Sequence, residues 1–197
     1  MNKVKIAKFS NDIADLPPVG TYNGYQRKTF ETPEEINVEL DKTKEQREGE
    51  FRKWLIQNKP RKAIMTPIET STASGVPDIF CCHSGVMTWL ECKIATSGPP
   101  RIRGTQFSYL KKLSEAGGRA KIVVQRLSPQ TYKPVSIEVY ESSHVTTIPL
   151  GMFRASREEL IFPPGMEPWY KWYYNRNKKE TIDDLYLRLL LDINSFE

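Results

Sequence analysis

The chain switches between two hydrophobic periods, and the switches mark its elements. Apolar residues with a strand-like pattern run through Ala63 to Ile68, Ile79 to His83, Val86 to Ile94, Arg119 to Gln125, Ser136 to Tyr140 and Val145 to Ile148. Ser84-Gly85 reads as a tight turn between the second and third of these. Helical spacing predicts three helices. The first starts at Thr32-Pro33-Glu34-Glu35, with Thr32 as cap and Pro33 at the first helical position, and reaches about Gln57. Its face turns apolar at Phe51 and Leu55, in line with Glu48. The second runs from Gln106 to about Ala116, with Thr105 as cap, the stripe Phe107, Leu110, Leu113 and Ala116, and Gly117-Gly118 as a stop. The third covers Thr181 to Ile193, with Ile182, Leu185, Leu189 and Ile193 on one side.

The order helix, strand, strand, strand, helix, strand implies an α/β fold with a central mixed β-sheet flanked by helices. Residues 1–31 hold Pro17, Pro18, Gly20 and Gly24 with little periodicity and read as an irregular N-terminal arm. Residues 32–148 form the expected core. Residues 149–197 are an aromatic and basic C-terminal extension ending in the third helix. Within it, Trp169 to Tyr174 has two readings: bases stacking on the aromatics, or Trp169, Trp172 and Tyr173 packing against the terminal helix. Aromatics spaced by three and four residues favour packing.

Composition narrows the class. The chain has 197 residues, 39% hydrophobic and 27% charged, which suits a globular domain with elaborations. No run of about 18 apolar residues occurs, so no membrane span is expected. Met1 to Ile13 lacks the apolar segment of a signal peptide. The net charge of +5 is compatible with a polyanionic partner. The three cysteines, Cys81, Cys82 and Cys92, are an odd number in predicted core strands, which points to reduced thiols and a cytoplasmic setting. Their spacing with His83 fits no usual zinc pattern, and adjacent strand residues face opposite ways.

The candidate chemistry lies in Gly75-Val76-Pro77-Asp78 and Glu91-Cys92-Lys93. Strand side chains alternate, so Glu91 and Lys93 share a face and Cys92 points away. Two carboxylates converging with a lysine can hold a hard divalent cation and a water beside a phosphate. Gly75 permits an unusual turn and Pro77 fixes the approach to the strand.

With Trp89-Leu90-Glu91-Cys92-Lys93, Gln106 opening a helix, and Gly117-Gly118 before a β-branched strand, the segment Gly75 to Gln125 resembles the PD-(D/E)XK nuclease superfamily, and within it the branch of archaeal Holliday-junction resolvases and VRR-NUC domains. The resemblance implies a restriction-endonuclease-like core. It implies Mg²⁺, with Mn²⁺ as substitute, bound by Asp78, Glu91 and the Cys92 carbonyl. It implies a water-orienting, water-activating or charge-stabilising role for Lys93 and an active-site role for Gln106. The family often adds a helix glutamate; Glu48 is expected, with Glu45 and Glu50 as alternatives. Arg101 and Arg103, in a loop bracketed by glycine and proline, and Lys111 and Lys112 are candidate DNA contacts, or a solvated basic surface.

The implied function is a metal-dependent endonuclease acting on branched or structured DNA, in recombination, repair or phage DNA processing. The setting would be the cytoplasm, or the host cytoplasm for a viral protein. Cutting two strands of a junction would call for a homodimer. The alternatives are a catalytically idle member of the fold that binds nucleic acid or protein, and a restriction-type, sequence-specific nuclease.

Overall fold

The structure is a computed structural model that describes residues 42–68, 74–156, 159–174 and 181–191. The N-terminal arm and the helix start at Thr32 lie outside the described residues. Helix α1 is Lys44–Gln57. Thr43 caps it: its hydroxyl accepts the Gln46 N–H at 3.2 Å, and the Gln46 side chain accepts the Thr43 N–H at 2.7 Å. This reciprocal pair satisfies two N–H groups that the helix cannot.

Nine strands follow among the described residues. They are β1 (Ile64–Pro67), β2 (Ile79–His83), β3 (Val86–Ala95), β4 (Arg101–Arg103), β5 (Ala120–Leu127), β6 (Pro134–Glu141), β7 (Arg154–Ser156), β8 (Glu159–Ile161) and β9 (Tyr170–Tyr173). Helices α2 (Gly104–Glu115), α3 (Ser142–Thr147) and α4 (Ile182–Leu191) complete the described elements, with a short 3₁₀ turn at Leu150–Met152. The main sheet has the order β1-β2-β3-β5-β6-β9. Strands β3 and β5 run parallel, joined across α2, and the other neighbours are antiparallel. The expected mixed sheet flanked by helices is therefore the architecture found. A second, three-stranded sheet has the order β4-β8-β7.

Strand alternation gives the main sheet two apolar faces. Leu90, Cys92, Val123, Ile137 and Val139 pack with Phe51, Trp54 and Leu55 of α1 and with Leu185, Tyr186 and Leu189 of α4. Ile122, Val124 and Tyr140 pack with Phe107 and Leu110 of α2, with Ile102 of β4 and with Phe162 just after β8.

Several local expectations differ from what folds. Val145 to Ile148 is not a strand; α3 occupies it. Burial of Val145 against the α2-side core outweighs its β preference, and Thr146 and Thr147 turn their hydroxyls back to the Ser142 and His144 carbonyls. The Thr96 to Gly104 loop contains β4. The α2 cap is Arg103 rather than Thr105, and Ala116 is exposed beyond the helix end. Tyr170–Tyr173 is a strand, so its aromatics are sorted by a period of two. Trp172 is buried near Trp54 and shares a core with α4, whereas Trp169 lies over the Lys121 ammonium at 4.6 Å.

Candidate active site

The site forms where the end of β3 meets the start of β2 and the first turn of α2. Gly75 has φ +91°, and a Cβ there would stand 2.4 Å from the Thr105 carbonyl oxygen. Only a glycine fits that conformation in that gap. The contact seats the turn before β2 on the N-terminus of α2, and so carries Asp78 to the same end of the sheet as Gln106.

Asp78 precedes β2 and lies across from β3. Its Oδ2 accepts the Cys92 backbone N–H at 2.7 Å. Its Oδ1 accepts from Arg52 Nη1, also at 2.7 Å. Glu91 and Lys93 project from the opposite face of β3 to Leu90 and Cys92, as alternation requires. The Lys93 ammonium is 2.7 Å from Glu91 Oε1. Gln106 Nε2 donates to the same oxygen at 2.5 Å, while Gln106 Oε1 accepts the Arg103 N–H at 3.1 Å. Gln106 therefore caps its helix and grips Glu91 with one side chain.

Burial sets the electrostatics. Glu91 is 0% exposed, and its Oε2 has no hydrogen-bond partner. Burial pushes its pKa up to about 8; Asp78 and Glu48 add to the rise, and Lys93 opposes it. Lys93 is also buried, which by itself would favour the neutral amine. The charges of Glu91, Glu48 and Asp78 outweigh burial and hold its pKa above the usual lysine value.

Of the three helix glutamates, Glu48 is the one turned to the site. It is half-buried, its Oε1 lacks a hydrogen-bond partner, and burial raises its pKa against the opposing charges of Lys93 and Lys44. Glu45 and Glu50 are exposed, and Glu50 pairs with Lys42 at 2.9 Å. Arg52 was not singled out from sequence. Its position four residues after Glu48, on the same helix face, is the signal that points to it.

The basic candidates lie on β4 and α2. Arg101 and Arg103 are exposed on β4, with Arg101 3.6 Å from Glu159. Glu159 also meets Lys44 of α1 at 3.4 Å. Lys111 and Lys112 are exposed on α2; Lys111 stands 4.0 Å from Glu115, and Lys112 lines a shallow cleft with Ser74, Thr105 and Ser108.

Among the described residues, no three His, Cys, Asp or Glu side chains are gathered closely enough to hold a metal ion. The donor chemistry nevertheless suits a hard divalent cation. Glu91 and Glu48 each keep a buried carboxylate oxygen without a hydrogen-bond partner, and Asp78 raises the proton affinity of both. The Arg52 guanidinium is the positive charge that Asp78 holds in this structure.

No protein-family model and no curated protein matches the chain. Among solved structures, the chain is similar to Hjc, a Holliday junction resolvase of the archaeal hyperthermophile Archaeoglobus fulgidus. The two are 12% identical, the match covers 58% of this chain and 85% of that one, and the TM-score is 0.39.

Proposed function

We propose that the chain is a divalent-metal-dependent DNA endonuclease. The observation that carries this reading is the Glu91–Lys93 pair: a 2.7 Å contact on one face of β3, with the second Glu91 oxygen buried and unpartnered. Structural ion pairs in a core normally leave no such oxygen idle.

Asp78, Glu91, Glu48 and the Cys92 carbonyl would hold Mg²⁺ or Mn²⁺. Bound there, the ion would supply Lewis-acid stabilisation of a phosphate and a water of lowered pKa. Lys93, kept protonated by its carboxylate neighbours, presents N–H donors to charge developing on the phosphate. Gln106 holds the Glu91 carboxylate in orientation from the α2 side. Arg101, Arg103, Lys111 and Lys112 would contact the phosphate backbone beyond the cleavage point.

The substrate we favour is branched or structured DNA, on the resemblance of the Gly75 to Gln125 motif set, with a homodimer presenting two sites to a junction. Recombination, repair or phage DNA processing in a cytoplasm is the matching role. The test compares wild type and Glu91→Gln on linear duplex, single strand, flap and four-way junction DNA, with Mg²⁺, Mn²⁺ or EDTA. We expect metal-dependent cutting, greatest on the junction, and none from the variant. Discrete fragments from long duplex DNA would instead identify a sequence-specific, restriction-type nuclease.

A second reading has its own observation. Asp78 is already neutralised by Arg52, and among the described residues no three His, Cys, Asp or Glu side chains are close enough to hold a metal ion. A catalytically idle protein that binds nucleic acid or protein would look this way. It predicts folded protein that binds DNA and cuts no substrate with any metal.

A further inference from the structure

We infer that Arg52 is a phosphate-binding residue that rests on Asp78 and is released to the DNA when a divalent cation takes its place. The inference rests on the nuclease reading above.

The starting point is an asymmetry among the three carboxylates. Glu91 keeps an oxygen with no hydrogen-bond partner, and Glu48 Oε1, which also lacks one, has only the Lys44 ammonium at 4.0 Å. Asp78 keeps none idle: Cys92 N–H serves one oxygen and Arg52 Nη1 the other, both at 2.7 Å. Arg52 thus stands in for a cation at one ligand of the set. A metal that takes the Asp78 lone pair now facing Arg52 displaces it.

Arg52 is placed to leave. Its side chain is 37% exposed, so the guanidinium sits at the rim and need not cross the core to reach solvent. It also hangs from α1 one turn beyond Glu48, so both side chains overlook the same strand end. A guanidinium released there remains beside any phosphate that enters.

Charge favours phosphate as the new partner. With Glu48, Asp78 and Glu91 ionised, Lys93, Arg52 and Lys44, the last 4.0 Å from Glu48, balance the three carboxylates. A divalent cation adds two positive charges, and a phosphodiester reduces that excess. Arginine suits the exchange because its planar fork pairs in the same way with carboxylate and phosphate and never loses its charge. Metal and DNA binding are then coupled through one side chain that holds one anion or the other.

The test uses the full chain, first without DNA. Mn²⁺ is titrated calorimetrically into wild type, Arg52→Gln and Arg52→Lys. Removing the competing cation should tighten Mn²⁺ binding roughly tenfold in Arg52→Gln, within the usual range of coupling, with Arg52→Lys nearer wild type. A labelled four-way junction is then titrated in Ca²⁺ or EDTA. Wild type should gain affinity with Ca²⁺, and Arg52→Gln should lose about tenfold of that gain. Equal Mn²⁺ affinity in wild type and Arg52→Gln, or an equal gain with Ca²⁺, overturns the inference and leaves the nuclease reading standing. No Mn²⁺ binding by any form overturns both. If Arg52→Gln does not fold, the wild-type Arg52 Nε–Hε resonance decides: it should shift on Mg²⁺ addition, and an unmoved resonance rejects the exchange.

Discussion

Gln106 donates to Glu91 Oε1 at 2.5 Å and, through its other amide atom, accepts the Arg103 N–H at 3.1 Å. The first turn of α2 and the end of β3 are thereby joined by one side chain. A shift of the helix would move the carboxylate that the proposed chemistry uses.

Replacing Gln106 by Leu should therefore act twice. The Arg103 N–H and a buried carboxylate each lose a partner, which should cost about 1–3 kcal/mol. Urea denaturation at neutral pH measures this. Cleavage should fall by roughly tenfold to a hundredfold through misorientation of Glu91. A variant with unchanged stability would mean that Gln106 is not the link between the two elements.

Glu91 makes stability depend on pH in the metal-free protein. Its pKa is raised in the folded state, from an ordinary 4.5 to about 8. Between those values the folded chain binds more protons than the unfolded chain. Stability should therefore be greatest below pH 4.5 on this account, and decline as pH rises to about 8. Glu91→Gln removes the group. In EDTA, the melting temperature of Glu91→Gln relative to wild type should climb across that window. A difference that stays flat with pH would show that Glu91 titrates normally.

Gly75→Ala tests the seat of the Asp78 turn. The substitution places a Cβ 2.4 Å from the Thr105 oxygen at φ +91°. Strain of this kind costs roughly 1–3 kcal/mol, and the clash adds to it. Thermal melting should show the loss, and Mn²⁺ affinity should fall with it because Asp78 moves. An alanine variant as stable as wild type would contradict the close approach.

Arg101→Ala and Arg103→Ala should weaken junction binding on any DNA sequence. Each lost phosphate contact should reduce the slope of log affinity against log salt by about 1. Arg103→Ala should have the larger effect, because Arg101 is partly neutralised by Glu159 at 3.6 Å. Slopes unchanged from wild type would make both residues ordinary solvated surface.

Glu91 and Lys93 share a face because strand side chains alternate, and this was legible in the chain itself. So were the strand-turn-strand around Ser84-Gly85 and the α2 crossover, since short-range periodicity carries them. Other features depended on which faces meet. Helical periodicity favoured Glu48, in line with Phe51 and Leu55, and kept Glu45 and Glu50 as alternatives; the packing of Phe51, Trp54 and Leu55 on the sheet turns Glu48 inward and leaves the other two in solvent. The Trp169 to Tyr174 cluster spaces its aromatics as a helix would. Pairing with β6 made it a strand and split them between faces. Val145 became helical because a buried position was available to it. The Arg52–Asp78 contact joins residues 26 apart, and no local pattern encodes it. Local sequence determined the alternation that aligns the catalytic candidates. Only the long-range packing of α1 against the sheet decided which charges face them, because burial energy acts on surfaces that meet after the elements have formed.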